Sequence, residues 1–132
     1  MSDFQWPGAE KKVARRAYEA AHNREYAQLK EKIRQIAGEM REVGGLWRLH
    51  DFLRRKLGEI DLKYDYRYSK LIVVFARLIH EGWLSLEELE GLREDKLAAI
   101  EAILSRARQQ ARVRSANAAA SEGEMPWQEC GR

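Results

Sequence analysis

Between Tyr26 and Val43 six bulky residues, Tyr26, Leu29, Ile33, Ile36, Met40 and Val43, follow one another at alternating steps of three and four. That alternation is the a/d seam of a heptad repeat, and it requires a helix whose apolar stripe meets another helix. From Ala9 to Val43 there is no proline, and the only glycine is Gly38. Most of the residues are good helix formers, so one helix over 9–43 is expected. Its 35 residues would extend about 50 Å at 1.5 Å each. A compact chain of 132 residues does not need such a length. The seam must be covered, either by a second helix of the same chain or by another subunit. Glu25 and Lys30 fall at flanking g and e positions, suited to an interhelical ion pair.

Gly44-Gly45 follows the seam and reads as its stop, because glycine takes the left-handed C-cap conformation without steric cost. In the next stretch Leu46, Leu49, Leu53, Leu57, Ile60 and Tyr64 form one stripe at helical spacing. A second helix is expected from Leu46 to about Tyr66–Tyr68, packed against the first as an antiparallel hairpin. Leu71 to Glu81 is dense in Leu, Ile, Val and Phe and ends at Gly82. The run Leu71–Phe75 also suits a strand, but its continuation as Ala-Arg-Leu-Ile-His-Glu favours a helix buried on most sides. Ser85 and Glu88 have capping-box spacing and open a fourth helix that fades near Arg114. The expected organisation is a flexible N-terminus over 1–8, a hairpin stalk over 9–67, a helical head over 68–114 and a disordered tail over 115–132. The fold class is all-α.

Charged residues make up 34% of the chain and hydrophobic residues 45%, with a formal net charge of +3. This composition suits a globular helical domain better than a disordered one. Basic and acidic residues alternate almost everywhere, which reads as solvated helix faces; no nucleic-acid partner is expected. The apolar run from Leu71 to Ile79 is broken by Arg77 and is about half a bilayer span, so membrane insertion is not expected. The single cysteine, Cys130, and the polar start of the chain suit a reducing, cytoplasmic setting.

His50-Asp51 invites a metal reading, but the other histidines, His22 and His80, stand in separate helices without ligand spacing. The serines lack a nucleophile-elbow context, and no glycine-rich loop follows a strand. No catalytic residue, metal or cofactor is expected. What remains is recognition. Trp47, His50, Asp51 and Arg54 flank the second stripe, as aromatic and polar anchors flank a protein interface. Periodicity alone leaves Trp47 open between hairpin core and interface. Tyr64, Tyr66 and Tyr68 with Arg67 form a second aromatic–basic cluster, whose bland reading is a set of rings covering the hairpin tip.

The string Leu46-Trp47-x-Leu49-His50-Asp51-Phe52-Leu53 is followed by Lys56, then Glu59-Ile60-Asp61-x-Lys63-Tyr64-Asp65 and Arg67. Val74-Phe75-Ala76-x-Leu78, Glu81-Gly82, Glu87-Glu88-Leu89, Asp95-Lys96 and Ile100 continue the pattern. Over about 40–105 this resembles the fluorescence recovery protein family of cyanobacteria. The resemblance implies a non-enzymatic homodimer with a long helical stalk and a small head. It implies binding to the photoactivated orange carotenoid protein, chiefly its C-terminal carotenoid-binding domain. It also implies faster return of that partner to the orange resting state, ending photoprotective quenching. With the seam, it places Leu29, Ile33, Ile36, Leu46, Trp47, His50 and Asp51 at the dimer interface. Partner contacts are expected at Tyr66, Arg67, Val73, Lys96 and Ala99. The chain departs from the family pattern at Leu57, where the family has Arg, at Val73, where a Phe occurs, and at Ala99, where a Lys occurs. These departures admit a dimeric helical adaptor of the same fold with a different partner.

Overall fold

The computed structural model of the chain describes residues 4–123. It is all-α: α1 (Gly8–Gly38), α2 (Val43–Lys63), α3 (Leu71–Glu81), a 3₁₀ turn (Leu86–Leu89) and α4 (Glu94–Gly123), with no strand among the described residues. The β-rich run at Leu71 is helical, as its continuation suggested. Gly82 ends α3 at φ +92°, the left-handed conformation that a glycine cap supplies. The capping box at Ser85 and Glu88 is present, but it opens the short 3₁₀ turn and not the fourth helix.

The break between the first two helices lies earlier than the double glycine suggested. The first helix stops at Gly38, and residues 39–42 make the turn. Gly44 and Gly45 sit in the first turn of α2, and neither has positive φ. Gly45 is there for close approach: a Cβ at this position would overlap the Met40 side chain, which folds back over it. The seam therefore ends at Ile36, and Met40 serves the turn. At its far end α2 stops at Lys63, short of Tyr66, and residues 64–70 are non-helical.

Met40 meets Gly45 at one end of the hairpin and Glu25 meets Lys63 at the other, so α2 runs back along α1. Between these points the helices are splayed around an open cleft of about 310 Å³ whose lining includes Leu29, Phe52, Lys56, Ile60 and Trp83. The main core lies at the other end of the molecule. Leu71, Ile72, Val74, Phe75, Ala76 and Leu78 of α3 pack there with Ile100 and Leu104 of α4 and with Leu84, Leu89 and Leu92 between them. Ala14, Ala17 and Ala21 of α1 belong to the same cluster. Small residues one turn apart let α1 approach α3 closely, and so α1 serves both head and stalk.

The ends of the chain also differ from expectation. Phe4 and Trp6 pack against the core, so this part of the supposed flexible start is fixed; residues 1–3 lie outside the described residues. Helix α4 continues through Gly123 instead of fading at Arg114, and the expected disordered tail over 115–132 is helical as far as 123. Its remainder, with Trp127 and Cys130, lies outside the described residues.

Gly91 lies at φ +114°, and a Cβ there would sit 2.8 Å from Val13 Cγ2. Backbone strain and overlap act together, so Gly91→Ala is expected to cost at least about 1 kcal/mol of stability. Urea unfolding at fixed protein concentration checks this; an unchanged midpoint would contradict it.

Candidate functional site

Two surfaces carry the residues singled out by sequence. The first is the outward face of α2. Leu46 is 58% exposed and Trp47 65%, and Val43 and Leu57 are likewise exposed. His50 and Asp51 lie on this side, with Nδ1 3.4 Å from Oδ1, and the Trp47 and His50 rings meet edge to face at 6.0 Å. Both polar groups are open to water. No group of three or more His, Cys, Asp or Glu among the described residues could hold a metal ion. The periodicity was sound, but it joined two kinds of position. Leu49, Leu53 and Ile60 are half-buried, whereas Leu46 and Leu57 point outward. Of the seam residues expected at a second subunit, Ile33 and Ile36 are half-buried. Leu29 is a correction: it is buried within its own chain, beside the cleft that Phe52 and Ile60 line from α2.

The second surface is on the head. Arg67 and Val73 share a shallow hollow with Leu62, Lys70 and Arg77. Arg67 donates to Asp65 through Nε (2.8 Å), and this bond, with the Arg67 charge, lowers the Asp65 pKa. Tyr66 belongs elsewhere. Its ring packs edge-on against Tyr18 of α1 at 4.7 Å and lies under the Arg15 guanidinium at 4.3 Å. Ala99 is half-buried against the core.

Lys96 is a clear correction. It is 1% exposed, and its ammonium lies 2.8 Å from Glu10 Oε1 and 4.9 Å from the centre of the Trp6 ring. It fastens the N-terminal segment to α4 and cannot touch a partner directly. Burial alone would raise the Glu10 pKa. The hydrogen bond from Lys96, the one from the Arg93 backbone N–H and both positive charges outweigh that and lower it.

Sequence reading missed the group that joins the two surfaces. Lys63, 6% exposed, donates to Glu25 of α1 (2.8 Å) and to Glu81 of α3 (2.6 Å). Tyr64 donates to the same Glu25 at 2.8 Å, and Arg77 donates to Glu81 at 3.0 Å. Burial, reinforced by the bond to Glu25, pushes the Tyr64 hydroxyl well above the usual tyrosine range. Glu81 moves down: burial opposes the shift, and the bonds from Lys63 and Arg77 overcome it. Glu25 had been placed at a g position, and its partner turns out to be Lys63 of the same chain. The only sequence hint was an acid at the edge of an apolar seam. A second clamp links α1 to the 3₁₀ turn, where Arg24 donates to Glu88 (2.8 Å) and to the Trp83 carbonyl (2.9 Å).

Lys63→Met would leave Glu25 buried without a counter-charge, at an expected cost of about 3–5 kcal/mol. The double variant with Glu25→Leu should recover part of it, as read from denaturation midpoints. The Arg24 hydrogen bond brings the Glu88 pKa from 4.5 down to about 2. A lowered carboxyl pKa stabilises the fold above the unfolded value, and that contribution fades as pH falls from 4.5 towards 2. Arg24→Gln should therefore lower stability at neutral pH and flatten its dependence on pH over that window. A parallel pH profile in the variant would contradict this.

The family model for the photoprotection regulator fluorescence recovery protein matches residues 6–104. The fluorescence recovery protein of Synechocystis sp. is 41% identical over 98 residues, covering 74% of this chain and 90% of that relative. The solved structure of the Fremyella diplosiphon fluorescence recovery protein is 48% identical, with a TM-score of 0.73 over 77% of this chain and 99% of that one. The Synechocystis structure gives the same TM-score and coverage at 41% identity. The chain thus belongs to the fluorescence recovery protein family of photoprotection regulators.

Proposed function

We propose that this protein is a non-enzymatic, cytoplasmic homodimer that binds the photoactivated orange carotenoid protein, chiefly its C-terminal carotenoid-binding domain. It accelerates that partner's return to the orange resting state and so ends photoprotective quenching. Family membership over residues 6–104 carries the regulatory part of this reading. The row of exposed apolar side chains on α2, with Val43, Leu46, Trp47 and Leu57, carries the dimer. A self-complementary apolar face of this kind is what a two-fold interface uses. His50 and Asp51 lie beside that row, and with Trp47 they are assigned to the dimer contact with Leu46, Ile33 and Ile36. No helix among the described residues is long and apolar enough to cross a membrane.

Partner contacts are assigned to Arg67, Val73 and the neighbouring Lys70 and Arg77, with Ala99 and Tyr66 at the margins. In physical terms the protein acts on its partner's conformational equilibrium, which requires tighter binding to a state along the return path than to the starting state. A second reading is a dimeric helical adaptor with another protein partner. It is favoured by Leu57, Val73 and Ala99, where the resemblance implies Arg, Phe and Lys.

The test is the red-to-orange recovery of photoconverted orange carotenoid protein, followed by absorbance with and without this chain. Faster recovery at substoichiometric amounts is expected. Unchanged recovery and no complex on size exclusion would leave the adaptor reading. For the dimer, Leu46→Glu should give monomers, because a carboxylate in an apolar interface is strongly disfavoured. Light scattering should then fall towards the 15.4 kDa of one chain; a mass equal to wild type would count against the interface.

A further inference from the structure

Beyond Leu104, α4 leaves the core. Every described side chain from Ser105 to Ala119 is exposed except Ala107, which is half-buried. The family match ends at residue 104, so this arm is added to what the chain shares with those relatives. It also carries the charge. Residues 1–101 hold 19 Lys and Arg against 18 Asp and Glu, a net of +1. Residues 102–123, to the end of α4, hold Arg106, Arg108, Arg112 and Arg114 against the single acid Glu122, a net of +3. The interleaving of opposite charges that argues against nucleic acid for the body stops at Glu101. None of the four arginines has an ion-pair partner among the described residues.

The placement of the arginines narrows the ligand. At 3.6 residues per turn, Arg108 and Arg112 stand on one flank of the helix, and Arg106 and Arg114 on the opposite flank. Between the flanks lies a face of small side chains, Ala107, Ala111, Ser115 and Ala118. A flat acidic surface would engage one flank and leave the other unpaired. A membrane surface would want an apolar face, and Val113 is the only large hydrophobic residue of the arm. A groove with anionic walls on both sides engages both flanks, and small residues let the helix enter deeply. The major groove of duplex DNA is about 12 Å wide and admits a helix of about 10–12 Å diameter. The deep, narrow major groove of A-form RNA does not.

We propose that the distal half of α4 is a DNA-binding arm that lies in the major groove and pairs its two arginine flanks with phosphates of the two strands. With its arginines assigned to phosphates, the arm binds in the sequence-tolerant way set by phosphate contacts. A dimer would present two such arms, but the inference does not require the dimer.

The probe is a fluorescein-labelled DNA duplex of arbitrary sequence, about 30 base pairs long, read by anisotropy from about 50 to about 200 mM salt. The intact chain should bind at low salt and weaken with a log–log slope of about −3 to −4 for one engaged arm. Replacing all four arginines by Gln, or ending the chain after Ser105, should abolish that binding. Helicity of the core and the oligomeric state by light scattering should stay as in the intact chain. Replacing them by Lys should keep most of the slope. No binding by the intact chain would overturn the proposal. So would binding that survives in the four-Gln variant, equal binding to an RNA duplex, or arginine-dependent capture by anionic vesicles or an acidic protein without capture by DNA.

Discussion

The architecture turns on one buried ammonium. Lys63 ends α2 inside the protein, held between Glu25 of α1 and Glu81 of α3. Taking three charges out of water is costly, and only close pairing, completed here by Tyr64 and Arg77, offsets the cost. Because each acid comes from a different helix, the pairing fixes where all three meet. With the Met40–Gly45 contact at the other end, it sets which side of α2 faces α1. The remaining side is left outward, and it carries Leu46, Trp47 and Leu57. The uncovered apolar row is thus a consequence of the junction, and the proposed dimer is the natural way to remove it from water.

The head is built around α3, whose buried face meets α4 and the small residues of α1. Lys96 plays on α4 the part that Lys63 plays on α2. It pairs with a buried glutamate and lies over aromatic rings, and so ties the N-terminal segment down. On this side lies the shallow hollow around Arg67 and Val73 to which partner contact is proposed. Helix α4 then has two halves of different character. One half is core; the other is an exposed helix that carries most of the net charge.

Much of this was legible in the sequence because apolar spacing is local information. The stripes on α1 and α2, the helix at Leu71–Glu81 with its Gly82 cap and the box at Ser85–Glu88 all follow from spacing and cap chemistry. The misreadings have physical causes. Gly44-Gly45 reads as a stop, since glycine is common there, but at Gly45 it is required by the Met40 side chain. The tail over 115–123 looked disordered because it lacks a hydrophobic face, although alanine is the best helix former. Lys63 and Lys96 could not be placed, because a buried ion pair between distant segments leaves no periodic trace. That is why Lys96 was assigned to a surface it does not reach. Leu29 is buried within its own chain, and its place in a seam does not say which helix covers it.

The proposed function requires the chain to distinguish two states of one partner. The most direct measurement is complex formation with the orange carotenoid protein by size exclusion, compared between illuminated and dark-adapted samples at equal concentration. Equal affinity for two states would shift nothing between them. Co-elution with the illuminated form is expected, with little or none with the dark-adapted form. Equal co-elution with both forms, or none with either, would contradict the proposed function.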